Sequence, residues 1–182
     1  MMEKKLYLTF AVLLFIYMMW PGPASIKDFQ DLPNSEKSTL SGDTWQIPDV
    51  AGYFSDNYRK YTTKYYFQKF QRVSHFPFPP VRINYPPEFA FTAIKKHTDS
   101  TYLEEFVYPL RDSIYVNGLE PFYEDGKPKF WGSSQFNQTG KSWYTKVTVR
   151  YYKSSILSKF VVWLGIIISI AGIYKMTRKV LV

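Results

Sequence analysis

Any chemistry in this chain would come from carboxylates and from two histidines. Glu104, Glu105 and Asp112 are the acids that could pair for glycan hydrolysis, which needs two carboxyl groups roughly 5–10 Å apart across a sugar. Neighbourhood in sequence does not provide that geometry. Thr101 and Glu104 stand at capping-box spacing, so Glu104 reads first as a helix-start acceptor. His97 beside Asp99 offers half a ligand set, yet a histidine at a helix end near an aspartate is more often a cap. His75 sits beside a proline-rich run, and neither histidine has an H-x-x-x-H or H-x-H partner. Cysteine is absent, which removes disulfides, thiolate nucleophiles and zinc-thiolate sites together. No nucleophile elbow, P-loop or dinucleotide fingerprint occurs. Asn137-Gln138-Thr139 would accept a glycan only in a host with that machinery. No metal and no cofactor is expected.

The elements that would position such groups are organised around Ile156–Tyr174, a run of nineteen residues with one charge, Lys159, near its start. As a helix it spans about 28 Å, close to the bilayer hydrocarbon. It reads as a transmembrane helix over 156–175, with a basic tail at 176–182. Lys159 can snorkel to the headgroups and Tyr174 suits the interface. Gly165, Ser169 and Gly172 share one face of it and would admit a second helix closely, either a partner's or the first apolar segment. That segment, Leu6 to Trp20, follows Lys4 and Lys5. With Pro21 to Ala24 it forms a signal peptide or a retained anchor at 1–24.

Charge placement decides against nucleic acid. The net charge is +8, of which residues 1–5 carry +1 and 156–182 carry +4, leaving +3 for the middle. Most of the excess flanks apolar ends, where it sets topology. The positive-inside rule puts both ends in the cytoplasm and the middle outside it.

That middle has the length of one domain. Residues 25–47 read as a polar linker or an irregular strap, with Trp45 and Ile47 marking where it meets a domain over 48–155. Asp49 caps a predicted helix whose face is Val50, Phe54, Tyr58, Tyr61 and Tyr65, with Lys60 and Lys64 on a neighbouring face and Arg59, Lys69 and Arg72 making the segment basic. His75 to Pro87 holds five prolines and reads as a rigid strap. A short helix is predicted from Pro87 to about Lys96, with Phe89, Ala93 and Lys96 on one face and Phe91 and Ile94 on another. An antiparallel β meander follows. Asn117-Gly118 is the strongest hairpin signal, Asp125-Gly126 and Thr139-Gly140 mark further turns, and Trp143 to Tyr152 alternates strictly. Only Lys153 to Ser155 separate that strand from the membrane helix, so the domain is expected to sit close to the bilayer.

The fold class is therefore α+β, a small extracytoplasmic domain flanked by two apolar helices. Sixteen Tyr, fifteen Phe and five Trp serve as core filler or as contact surface. Trp131, Trp143, Tyr144 and Tyr152 are the expected contact aromatics. The leading reading is a non-catalytic, membrane-tethered binding or scaffolding protein of the cell envelope. Its partners would be the lipid bilayer and another membrane or envelope protein, not nucleic acid. The alternatives are an envelope hydrolase or transferase using Glu104, Glu105 or Asp112 with His97, and an accessory subunit docked through Gly165, Ser169 and Gly172.

Overall fold

Alternation along Thr145–Tyr152 builds the sheet outward from its middle. Thr145, Val147, Val149 and Tyr151 are buried while Lys146, Thr148, Arg150 and Tyr152 are half-buried, so this strand packs both faces and pairs on both flanks. A computed structural model describes residues 2–40, 43, 48–90, 93–94 and 99–180. In chain order the elements are helix α1 (Met2–Met19), β1 (Ser35–Lys37), β2 (Val50–Ser55), α2 (Arg59–Val73), β3 (Val81–Tyr85), β4 (Tyr102–Val107), β5 (Ser113–Leu119), β6 (Phe136–Gln138), β7 (Lys141–Trp143), β8 (Thr145–Tyr152) and α3 (Ile156–Val180). Six strands form one antiparallel sheet in the order β1-β2-β8-β5-β4-β3, and β6-β7 form a separate hairpin. The fold class is α+β.

One face of the sheet carries the main core. Ala51 and Tyr53, Val147, Val149 and Tyr151, Ile114 and Val116, Tyr102 and Phe106 point to the same side, and α2 lays Tyr66 and Phe70 on them. The contacts are ring against ring: Phe70 with Tyr108 at 5.1 Å, Phe67 with Phe106 at 5.4 Å and Phe29 with Tyr151 at 5.5 Å between centroids. Such edge and tilted pairs add to area burial. Much of the aromatic surplus is thus core. The opposite face holds a smaller cluster of Leu103, Ala90 and Ile94 with Tyr85 and Tyr115 against it.

Several elements differ from their sequence reading for identifiable reasons. Residues 50–55 are a fully buried strand, not the first turns of a helix. A short apolar run satisfies both periods, and burial on both faces decides for the strand. Asp49 does not cap α2; it adopts φ 59, its carboxylate accepts the Ile26 N–H at 3.0 Å and its carbonyl accepts the Tyr151 N–H. Of the two readings of 25–47, the strap describes 25–37, since Phe29 and Leu32 are core residues and β1 pairs with β2. Asn117-Gly118 lies inside β5. A Cβ at Gly118 would fall 2.0 Å from the Tyr102 ring, so this glycine admits a neighbour rather than making a turn. Tyr102 to Glu104 is strand, so Thr101 and Glu104 form no capping box. Among the described residues of the helix expected from Pro87, Pro87–Phe89 form a 3₁₀ turn and the Ala93 and Ile94 N–H groups donate to the Ala90 carbonyl; Phe91 and Lys96 lie outside the described residues, as do Trp45 and Ile47. Asp125-Gly126 and Thr139-Gly140 are turns as read, with Gly126 and Gly140 at φ 83.

The chain divides into two compact units, one of residues 22–153 and the other of 1–21 with 154–182. The second is a helical hairpin. Tyr7 donates to the Ile167 carbonyl at 2.8 Å, Trp163 Nε1 to the Ala11 carbonyl at 2.9 Å, and the Phe15 ring meets Trp163 at 5.1 Å. Early residues of α1 meet late residues of α3, so the two helices run antiparallel. Ile156–Lys179 is long and apolar enough to cross a membrane.

Candidate functional site

Strand alternation splits Glu104 from Glu105. Glu104 shares the α2 side of the sheet with Tyr102 and Phe106 and is fully buried. A lone carboxylate there would cost several kcal/mol in desolvation, and two arginines meet it. Arg59, the first residue of α2, donates from Nε to Oε1 at 2.8 Å. Arg82, from β3, donates from Nε to Oε2 and from Nη2 to Oε1 at 2.7 Å, a bidentate fork. The Arg82 guanidinium is held more firmly charged than usual, chiefly by its hydrogen bonds to Glu104. Arg59 also lies over the Tyr102 ring at 5.3 Å.

A second carboxylate fixes the helix that carries Arg59. Tyr58 precedes α2 without a side-chain cap, and Glu120 does that work by accepting the Arg59 backbone N–H. Glu120 is itself buried and paired with Lys129 at 2.7 Å. The Tyr58 hydroxyl donates to the Tyr123 carbonyl at 3.0 Å. The loop after β5 is thereby tied to the start of α2.

Between these pieces opens a cleft of about 1160 Å³. Phe67 and Phe106 supply apolar surface. Lys60 and Lys64, one helical turn apart on α2, stand exposed along one wall. Two guanidinium groups around a single carboxylate leave one positive charge in surplus, and the two lysines add two more. Glu120 and Lys129 cancel. Glu124 and Asp125 form an acidic margin on the loop side, where Asp125 pairs with Lys127 at 3.1 Å. The α2 wall is thus cationic; buried Glu104 holds Arg59 and Arg82 in place, and Lys60 and Lys64 stand exposed beside them.

The candidate acids do not converge. Glu105 points to the other face of the sheet and accepts the Tyr85 hydroxyl at 2.9 Å. Asp112 is buried just before β5, where its carboxylate lies near Gly22 and the Tyr151 hydroxyl. His97 lies outside the described residues. The expected contact aromatics fall on separate pieces. Trp131 is fully exposed at 101%, in the loop after β5. Trp143 donates to Glu36 at 3.3 Å, Tyr144 meets Phe122 edge-on at 5.6 Å, and Tyr152 packs on Tyr115 at 5.3 Å under Arg150. On α3, Gly165, Ser169 and Gly172 are exposed, and a Cβ at either glycine would meet nothing within 4 Å. Helix α1 uses the Trp163 and Ile167 side instead.

Sequence reasoning missed the Arg59, Arg82 and Glu104 cluster. The available signal was Glu104 in Leu-Glu-Glu-Phe, a charge within a strand-like apolar run, which demands a buried counter-ion. No family model, curated protein or solved structure matches this chain.

Proposed function

We propose that this is a membrane-tethered binding protein of the cell envelope, which holds an anionic partner in the α2 cleft with residues 22–153 outside the cytoplasm. The observation that carries this reading is the Glu104 clamp. It fixes Arg59 and Arg82 at the cleft with a surplus of positive charge, beside two lysines that make the wall more cationic still. Preorganised cations bind anions without the entropic cost of gathering them. The separation of Glu104 from Glu105 favours binding over hydrolysis by paired acids.

The tether is α1 with α3. Their antiparallel pairing gathers Lys4, Lys5, Lys175, Arg178 and Lys179 at one end of the hairpin, the end that the positive-inside rule assigns to the cytoplasm. Tyr and Trp hydrogen bonds between the two helices support retention of α1 as an anchor over its removal as a signal peptide. The exposed Gly165, Ser169 and Gly172 face remains for a further helix, and Trp131 for contact with a protein partner.

Two measurements test the reading. Because the chain has no cysteine, Gln135→Cys should react with an impermeant maleimide on intact cells, and Met176→Cys only after permeabilisation. The reverse pattern rejects the topology. Purified full chain in neutral detergent should retain inorganic polyphosphate, and Lys60→Glu with Lys64→Glu should abolish retention. Equal retention rejects the cleft.

A further inference from the structure

The last strand of the sheet borders this cleft. β3 pairs with β4 on one flank only, so on its other flank alternate N–H and C=O groups face outward. Arg82 and Asn84 point to the cleft side, in register with Phe106 and Glu104. Val81 and Ile83 point to the other side, and Val81 is 51% exposed. Pro79, Pro80, Pro86 and Pro87 bracket the strand and confine any added pairing to its 5 residues. The opposite edge is treated differently. β1 is only 3 residues long, and the β6-β7 hairpin reaches across it, with Thr139 and Trp143 donating to Glu36 and Gln138 to Thr39. Among the described residues the β1 edge is short and its Glu36 side chain is engaged by the hairpin, while the β3 edge is longer and open.

We propose that the cleft takes an extended acidic segment of a partner protein, added as a further strand beside β3. Alternate acidic side chains meet Arg82 and Lys64, and the intervening apolar ones lie beside Val81 and Ile83. Main-chain hydrogen bonds to β3 provide affinity that is indifferent to sequence, and the cationic wall selects for acids at every second position. The partner motif is therefore an alternation of acidic and apolar residues, no longer than the strand it joins. This inference rests on the cleft being the binding site.

The test uses full chain in detergent and a fluorescent peptide in which Glu and Val alternate. Binding is expected, with amide-exchange protection appearing at residues 81–85. Lys64→Glu, at an exposed site with no role in the clamp, should weaken binding by about tenfold, and Arg82→Ala by more. The same peptide N-methylated at alternate residues keeps its charge but cannot form a strand, and it should not bind. Equal binding of the methylated peptide, or no binding of the parent, overturns strand addition. In either case polyphosphate retention that still depends on Lys60 and Lys64 leaves the anionic cleft standing. Loss of that dependence removes both. Acidic polysaccharide that binds where the peptide does not would assign the cleft to a glycan and likewise overturn the proposal.

Discussion

Glu104 and Glu105 are neighbours in sequence, both almost sealed from water, and the two faces of the sheet neutralise them by different chemistry. On the α2 side Glu104 receives two guanidinium groups and becomes the hub of an ion cluster. On the other side Glu105 receives the hydroxyl of Tyr85, which stacks near Tyr115, which in turn meets Tyr152. The hydrogen bond to Glu105 raises the Tyr85 pKa, and burial followed by the charge of Glu105 raises that of Tyr115. The first face exports positive charge to its cleft. The second keeps a negative charge inside a ring of phenols. The difference teaches that adjacent acids in a strand are separate sites, since the pleat sends them to opposite sides.

The sharpest way to break this contrast is Glu104→Gln, which leaves Arg59 and Arg82 without their shared anion. It should cost about 3 kcal/mol, less than a wholly buried pair because both arginines reach solvent, and is read from the denaturation midpoint of full chain in detergent. Glu105→Gln, which keeps a hydrogen-bond acceptor for Tyr85, should cost markedly less; equal losses would erase the distinction between the faces. Gly118→Ala tests the α2 side without touching charge. Its methyl group meets the Tyr102 ring and should cost about 2 kcal/mol, with a change in near-ultraviolet circular dichroism. Tyr85→Phe removes one hydroxyl from the other face and should cost about 1 kcal/mol.

The last effect is nil at neutral pH. Burial holds Tyr53, Tyr66, Tyr102, Tyr115 and Tyr151 above the ordinary tyrosine pKa. The folded chain keeps protons that the unfolded chain releases above pH of about 10. Stability should be level with respect to these groups below that pH and fall as pH rises beyond it. Tyrosinate absorbance from these five should rise together with unfolding, and early titration of any of them would contradict its burial.

Much of this was legible before the structure. β8 announced itself through eight alternating residues, and α3 through an apolar run with cations beyond it. The Thr139-Gly140 turn was legible because positive φ has a chemical signature. Residues 50–55 were not, because Val50 and Phe54 satisfy helical spacing to Tyr58 while the deciding fact, burial of both sides, comes from strands distant in sequence. Gly118 was misread as a turn for the same reason, since the need for a missing side chain was set by Tyr102. The site was hardest of all. Arg59, Arg82, Glu104 and Glu120 come from a helix, an edge strand, an inner strand and a loop, and no local pattern links them. Charge spacing on α2 was visible, but that its wall faced a cleft was not.

The direct connection of β8 to α3 bears on how the molecule would withstand tension. A force applied to α3 is delivered to a strand flanked by β2 on one side and β5 on the other. Detaching β8 must break two ladders at once, whereas α1 leads on to β1, which is held by one ladder only. The two apolar helices therefore enter the sheet at unequal points, one at its middle and one at its rim.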